Sequence, residues 1–187
     1  SRRGDCFTDD WCYRRAMAVI QVFGMESALR ILEVLLLVMA ANGAPILLAR
    51  LLRGRTLPPV DFGLKLRDGR PLFGHSKTWP GIGVALLAAT VVGLLLGHPW
   101  YVGASAGLAA MVGDLFSSFV KRRLGIPPSG RAVLLDQLPE SLLPTLVLLY
   151  WLPLNVAEAG VAVLLFFCLG LPLSWLLFQL GIRKQPY

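Results

Sequence analysis

Charged side chains are scarce in this chain: 16% of its 187 residues are Asp, Glu, Lys or Arg, while 56% are hydrophobic. A soluble domain of this size needs more polar residues to cover its surface, so the composition excludes an ordinary water-soluble globule and assigns the chain to a bilayer. Metal-ligating residues are scarcer still. Three cysteines and two histidines fall at spacings that make neither a zinc site nor a redox motif. Cys6 and Cys12 are close enough in sequence to pair in an oxidising compartment, and Cys168 lies in an apolar run, where packing is its expected role. Internal repeats and low-complexity linkers are also lacking, which argues for one domain. Residues 1–24 hold no uninterrupted apolar core and do not read as a signal peptide. Met25 reads as an original start, with 1–24 as a dispensable extension, placed outside the cytoplasm, and 25–187 as the single domain.

What is present is apolar length. Five segments can be drawn, at 29–52, 80–97, 101–120, 142–156 and 160–180, against the roughly 20 apolar residues that span a hydrocarbon core. The fourth is the shortest, because Pro144 and Pro153 interrupt it. The expected fold is an all-α integral membrane protein of about five transmembrane helices with two functional cytoplasmic loops. Charge orients it. The stretch 50–77, the stretch 121–131 and the tail carry 13 of the 18 Lys and Arg, whereas the connections around 98–99 and 155–159 carry none. The positive-inside rule then puts both basic loops and the C-terminus in the cytoplasm of a cytoplasmic-membrane protein, and the N-terminus outside. The net charge of +7 sits in juxtamembrane loops without interleaved aromatics, which points to anionic lipid head groups or nucleotide phosphates and away from nucleic acid.

The most informative run is GDLFSSFVKRRLGIPPSGRAVLLDQ, residues 113–137. A carboxylate within an apolar segment is a functional-site candidate by default. Read as a helix, Asp114, Ser117, Ser118, Lys121 and Arg122 share one face, with Asp114 about 10 Å deeper than Lys121 at the helical rise. A polar groove running inward from the cytoplasmic surface follows. Two acids, Asp114 and Asp136, flanking a Lys-Arg cluster suit phosphoryl or nucleotidyl transfer, since carboxylates hold Mg²⁺ and cations offset phosphate charge. A salt bridge of Asp114 to Lys121 or Arg122 that merely neutralises the acid accounts for the spacing equally well. Gly103 and Gly107, and Gly93 and Gly97, form GxxxG pairs for close helix packing.

The run GDLFSSFVKRRLG followed by LLDQL, together with the earlier DFG, DGRPLFG and KTWPG, resembles the CDP-archaeol synthases and, more distantly, the phosphatidate cytidylyltransferases. The match covers 41–138, about half the chain. The resemblance implies a membrane-embedded, Mg²⁺-dependent enzyme that joins CTP to a lipid phosphate, an archaeol-type diether or phosphatidate, releasing pyrophosphate and a CDP-activated lipid. By position in the motifs it assigns Asp114 and Asp136 to the metal and Ser118, Lys121, Arg122 and the adjacent Arg123 to the phosphates. Asp68, Arg70, Lys77 and Thr78 fall in the motifs expected to close the nucleotide pocket. Asn42 matches a polar position of the first helix, where an interhelical hydrogen bond is an equal alternative.

One departure stands out. The archaeal pattern reads D-Q-L-D-F, and here Asp136-Gln137-Leu138 is followed by Pro139-Glu140. With Pro139 as a helix start, Glu140 falls in the first turn, either as a third metal ligand or as a benign partner of the helix dipole. The motif of the CDP-alcohol phosphotransferases is not matched, since Asp68-Gly69 runs directly into Arg70. A non-catalytic carrier or transporter of anionic lipids remains the alternative of a different class, and a homodimer is a candidate assembly.

Overall fold

The structure, a computed structural model, describes residues 24–52, 55–127 and 132–179. The N-terminal arginines, Cys6, Cys12, Arg53, Arg131, Arg183 and Lys184 lie outside the described residues. Five helices follow one another: α1 (Met25–Leu51), α2 (Trp79–Leu95), α3 (Trp100–Arg123), α4 (Val133–Trp151) and α5 (Val156–Gln179). Among the described residues there is no strand, only isolated bridges between Pro59 and Thr78 and between Lys65 and Pro71. The helices α1 and α3 are each long and apolar enough to cross a membrane, and α2 and the first part of α5 are shorter apolar helices.

Helix α3 packs between α2 and α4, and α1 closes the bundle by touching the other four helices. The larger core joins Val34, Leu37 and Val38 of α1 to Val102 of α3, Leu148 of α4 and Phe166 of α5. A second core consists almost wholly of alanine, with Ala41, Ala85, Ala89 and Ala110 around Met111. It is small because the α2 and α3 backbones approach closely. A Cβ on Gly93 would lie 3.1 Å from the Gly103 Cα, and one on Gly107 would meet the Leu86 Cα at the same 3.1 Å. These glycines supply the small-residue seam that helix association uses where lipid gives no hydrophobic drive, and they are engaged within the chain. Large apolar side chains such as Leu32, Leu87, Leu108 and Leu164 are exposed on the outside of the bundle, the arrangement expected where hydrocarbon is the solvent.

The fourth helix differs most from the sequence expectation. It begins at Val133 and ends at Trp151, so Pro139 and Pro144 lie inside it, and Val156 opens α5 instead. An internal proline removes one N–H and leaves the carbonyl four residues earlier unpaired. For Pro144 that carbonyl belongs to Glu140, and the Asn42 Nδ2 of α1 donates to it at 3.3 Å as well as to the Val38 carbonyl at 3.0 Å. A side chain from a neighbouring helix therefore replaces the missing bond, as membrane helices with internal proline require. Asp136, not Glu140, occupies the first turn. Cys168 is exposed on α5 rather than packed, because its helix presents that side to the outside of the bundle.

The two ends of the bundle differ in chemistry. At one end Arg30 of α1 donates to Glu158 of α5 at 2.8 Å, Glu33 approaches His98 of the α2–α3 connection at 3.3 Å, and Tyr101 stacks on Trp151 at 4.9 Å. The other end gathers the α1–α2 loop, the last turn of α3 and the first turns of α4.

Candidate functional site

The site is built from the α1–α2 loop inward. Asp61 is buried, and its carboxylate accepts from the main-chain amides of Gly63 (3.0 Å), Phe73 (2.9 Å) and Gly74 (2.8 Å). Burial pushes this carboxyl up, but the amide bonds outweigh it and hold the group below its ordinary range. Gly63 and Gly74 adopt φ values of 79° and 97°, which suits glycine. The ordered loop returns to its start, with the Val60 amide donating to the Lys77 carbonyl at 2.8 Å. Thr78 then caps α2, accepting from the Gly81 amide at 3.2 Å, with proline in the first turn. Thr78 thus aims the helix, and the residue before it, Lys77, points at α3.

On α3 the predicted polar face is present: Ser117, Ser118, Lys121 and Arg122 are all buried, and Asp114 lies one turn deeper. The ion pairs are exchanged relative to the sequence expectation. Asp114 pairs with Lys77 from the loop, and Lys121 pairs with Asp136 of α4 at 2.5 Å. Helical geometry explains the exchange: Lys121 is seven positions, about 10 Å, from Asp114 along the axis. Each lysine instead meets the acid of another element at its own depth.

The acids converge because α3 and α4 touch at Gly113. A Cβ there would lie 2.6 Å from the Pro139 carbonyl carbon and 3.0 Å from the Glu140 nitrogen, and closer still to the Pro139 oxygen. This contact brings the Glu140 carboxyl beside that of Asp114 and within electrostatic reach of Lys77 and Asp136. Two adjacent carboxyl groups are stable only with a proton or a cation between them. Asp136 Oδ1, although beside the Lys121 ammonium, is buried without an aligned hydrogen bond. Among the described residues no group of three or more His, Cys, Asp or Glu forms a closed metal cage. A hard divalent cation that keeps water and substrate oxygens needs only one or two carboxylates, and Asp114 with Glu140 or Asp136 fits that requirement.

The remaining predicted residues divide. Arg122 is 3% exposed, with one guanidinium nitrogen on the Pro127 carbonyl at 3.0 Å and Nε buried without a partner. Asp68, Arg70 and Arg123 form a separate clamp at the rim. Arg123 pairs with Asp68 at 2.5 Å and donates to the Pro71 carbonyl at 2.7 Å, while Arg70 donates to the Arg123 carbonyl at 2.7 Å. The Arg70 amide bond, reinforced by Arg123, holds the Asp68 carboxyl below its usual range. Arg70 thus caps the end of α3, where a cation also suits the helix dipole. Gln137 lies against Gly170 of α5. Asp61 was not among the predicted site residues. Its signal was an Asp followed two residues later by glycine, with a second glycine at 74, in a loop that must turn sharply.

The CarS-like family, described as CDP-archaeol synthase, matches residues 28–187. The CDP-archaeol synthase of Thermofilum pendens is 40% identical over 157 residues, 79% of this chain and 75% of that protein. The one from Pyrobaculum calidifontis is 36% identical over 152 residues, covering 79% of this chain and 90% of its own length. Among solved structures, an intramembrane enzyme for archaeal membrane lipid biosynthesis superposes with a TM-score of 0.64 at 31% identity, covering 78% of this chain and 93% of that one. A match across most of the chain, carried by the same helices that assemble the carboxylate and lysine pairs, makes this integral membrane protein a member of the CDP-archaeol synthase family and an enzyme of the cytidylyltransferase type.

Proposed function

We propose that the chain transfers CMP from CTP to a membrane lipid phosphate, with an archaeol-type diether glycerol phosphate as the first choice over phosphatidate, giving a CDP-activated lipid and pyrophosphate. The observation that carries this reading is the half-buried cluster in which Lys77 pairs with Asp114, Lys121 pairs with Asp136, and Glu140 lies beside Asp114. Beside it, Arg122 is buried with no carboxylate in ion-pair contact among the described residues. A buried cation with no anion in contact is costly, and a phosphate supplies the missing charge. A carrier of anionic lipids has no use for carboxylates held beside one another.

In this reading a lipid-phosphate oxygen attacks the α-phosphorus of CTP in line, and the bond from that phosphorus to the α,β-bridging oxygen breaks, releasing pyrophosphate. The attacking oxygen is already anionic near neutral pH, so no side chain removes a proton. Lys77, Lys121 and Arg122 offset charge on the phosphates, and the bundle excludes water around them, which strengthens each interaction. Ser118, buried on the same face, is a hydroxyl donor to phosphate oxygen. Asp114, with Glu140 or Asp136, would hold Mg²⁺, which would supply Lewis-acid neutralisation of the triphosphate. Asp68, Arg70 and Arg123 fix the rim, and Thr78 and Asn42 act on the site through α2 and α4.

The five helices cross the membrane in this account, with the site end of the bundle and the C-terminus in the cytoplasm, where the basic loops and CTP are found. Incubating purified protein with labelled CTP, Mg²⁺ and a panel of diether and diacyl glycerol phosphates tests the reading. Labelled CDP-lipid and one pyrophosphate per turnover are expected. Lipid binding without any label transfer across the panel sinks it.

A further inference from the structure

Asp61 is buried 16 residues ahead of Lys77, and the reaction as described does not use it. The hydrogen bonds between them are short-circuited by the fold. The Gly74 amide donates to Asp61 Oδ2 at 2.8 Å, and the Lys77 amide donates to the Gly74 carbonyl at 3.2 Å. From the other side, Val60, next to Asp61, donates to the Lys77 carbonyl at 2.8 Å. The main chain of Lys77 is therefore held on both sides within two hydrogen bonds of one carboxylate.

A strained residue marks the same turn. Phe62 has φ 47°, an uncommon and unfavourable conformation for a bulky side chain. Its side chain does not hold it there, because Phe62 is 77% exposed. What holds it is the bonded turn, in which the Gly63 amide meets Asp61 Oδ1 at 3.0 Å and the Leu64 amide meets the Asp61 carbonyl at 2.7 Å. Strain of this kind persists only where the surroundings over-determine the backbone.

We infer that Asp61 is a positioning residue for the transfer reaction: through the amides of Gly63, Phe73 and Gly74 it sets where Lys77 presents its ammonium group to Asp114. This rests on the proposed function for its catalytic consequence, but the placement of Lys77 stands apart from it. Removing the carboxylate deletes the three amide bonds that tie the turn at Gly63 to Phe73 and Gly74, and Lys77 leaves Asp114 while the helices remain packed.

The test uses the full chain in detergent. Amine-reactive labelling read by mass spectrometry reports the access of Lys77, with the exposed Lys65 as an internal reference. Asp61→Ala should raise Lys77 labelling several-fold against Lys65, and Asp61→Asn, which keeps one acceptor oxygen, should raise it less. Lys77 labelling unchanged in both variants overturns the inference, whether or not the protein turns over CTP. In turnover, a misplacement of about 1 Å costs up to ~100-fold, so kcat of Asp61→Ala should fall by ~10- to 100-fold. Because Asp61 acts through Lys77, the Asp61→Ala/Lys77→Ala double variant should be no slower than Lys77→Ala alone. A double variant slowed by the product of the two single effects overturns the inference. Absence of CDP-lipid formation by the unaltered chain counts against the proposed function and leaves the labelling result to decide on Asp61.

Discussion

Gly113→Ala probes the contact that makes the site. The added Cβ would sit 2.6 Å from the Pro139 carbonyl carbon, where ordinary van der Waals contact begins at 3.4 Å. The shortfall is at least 0.8 Å, and the atoms it meets are all backbone, so no side chain can rotate out of the way. Helix α4 must move away from α3 by about that amount at Pro139 and Glu140. Overpacking of this kind costs about 1–3 kcal/mol, small enough for the bundle to survive. The same shift separates Glu140 from Asp114, and a displacement of about 1 Å in a catalytic constellation lowers turnover by up to ~100-fold. The variant should therefore keep its helical circular dichroism and its elution as a folded species while CDP-lipid formation falls by one to two orders of magnitude. Gly103→Ala is the control, since its Cβ would clash with the α2 backbone at Ala89 and Thr90, distant from the carboxylates. It should lower thermal stability with a much smaller loss of turnover. Equal loss in the two variants, or full activity in Gly113→Ala, refutes the claim that this crossing sets the site.

Asn42→Ala leaves the Glu140 carbonyl unpaired, and an unsatisfied buried group costs about 1–3 kcal/mol, seen as a lower unfolding midpoint in detergent. In a Pro144→Ala background the amide at 144 can take that carbonyl, so the loss from Asn42→Ala should shrink. The same loss in both backgrounds disproves the substitution of one bond for the other. Asp61 carries a pH signature: its folded pKa is depressed, so its contribution is fully present above the unfolded carboxylate value of about 3.9 and is lost as pH falls through the lower folded value. The stability gap between the unaltered chain and Asp61→Asn should thus be constant from pH 7 to about 4 and close below that. A gap that closes near neutrality counts against a depressed carboxylate.

Much of the bundle was legible because lipid imposes simple rules. Apolar length marked five helices, and the helical period alone collected Ser117, Ser118, Lys121 and Arg122 on the face of Asp114. The glycine pairs announced the close α2–α3 approach, although Gly97 turned out to serve the turn after α2, with φ 85°. What was hidden depends on contacts remote in sequence. Lys77 reaches Asp114 across 37 positions, and no periodicity within α3 reports a partner delivered by a loop. Helix α4 was misjudged because Pro139 read as a helix start and Pro144 as an interruption, and it is Asn42, 98 positions from Glu140, that makes the internal Pro144 tolerable there. Arg123 was expected at the phosphates and Arg70 in the closure of the nucleotide pocket, and no sequence pattern reported that the two also lock the loop to the end of α3.

The central claim is that Asp114, held between Lys77 and Glu140, organises cytidylyl transfer at the end of a membrane-embedded bundle. The most direct measurement compares transfer of label from CTP to a diether glycerol phosphate by the unaltered chain and by Asp114→Asn, across a Mg²⁺ titration, with circular dichroism confirming that both are folded. The account predicts Mg²⁺-dependent CDP-lipid formation by the former and none by the latter. Undiminished turnover by folded Asp114→Asn contradicts it.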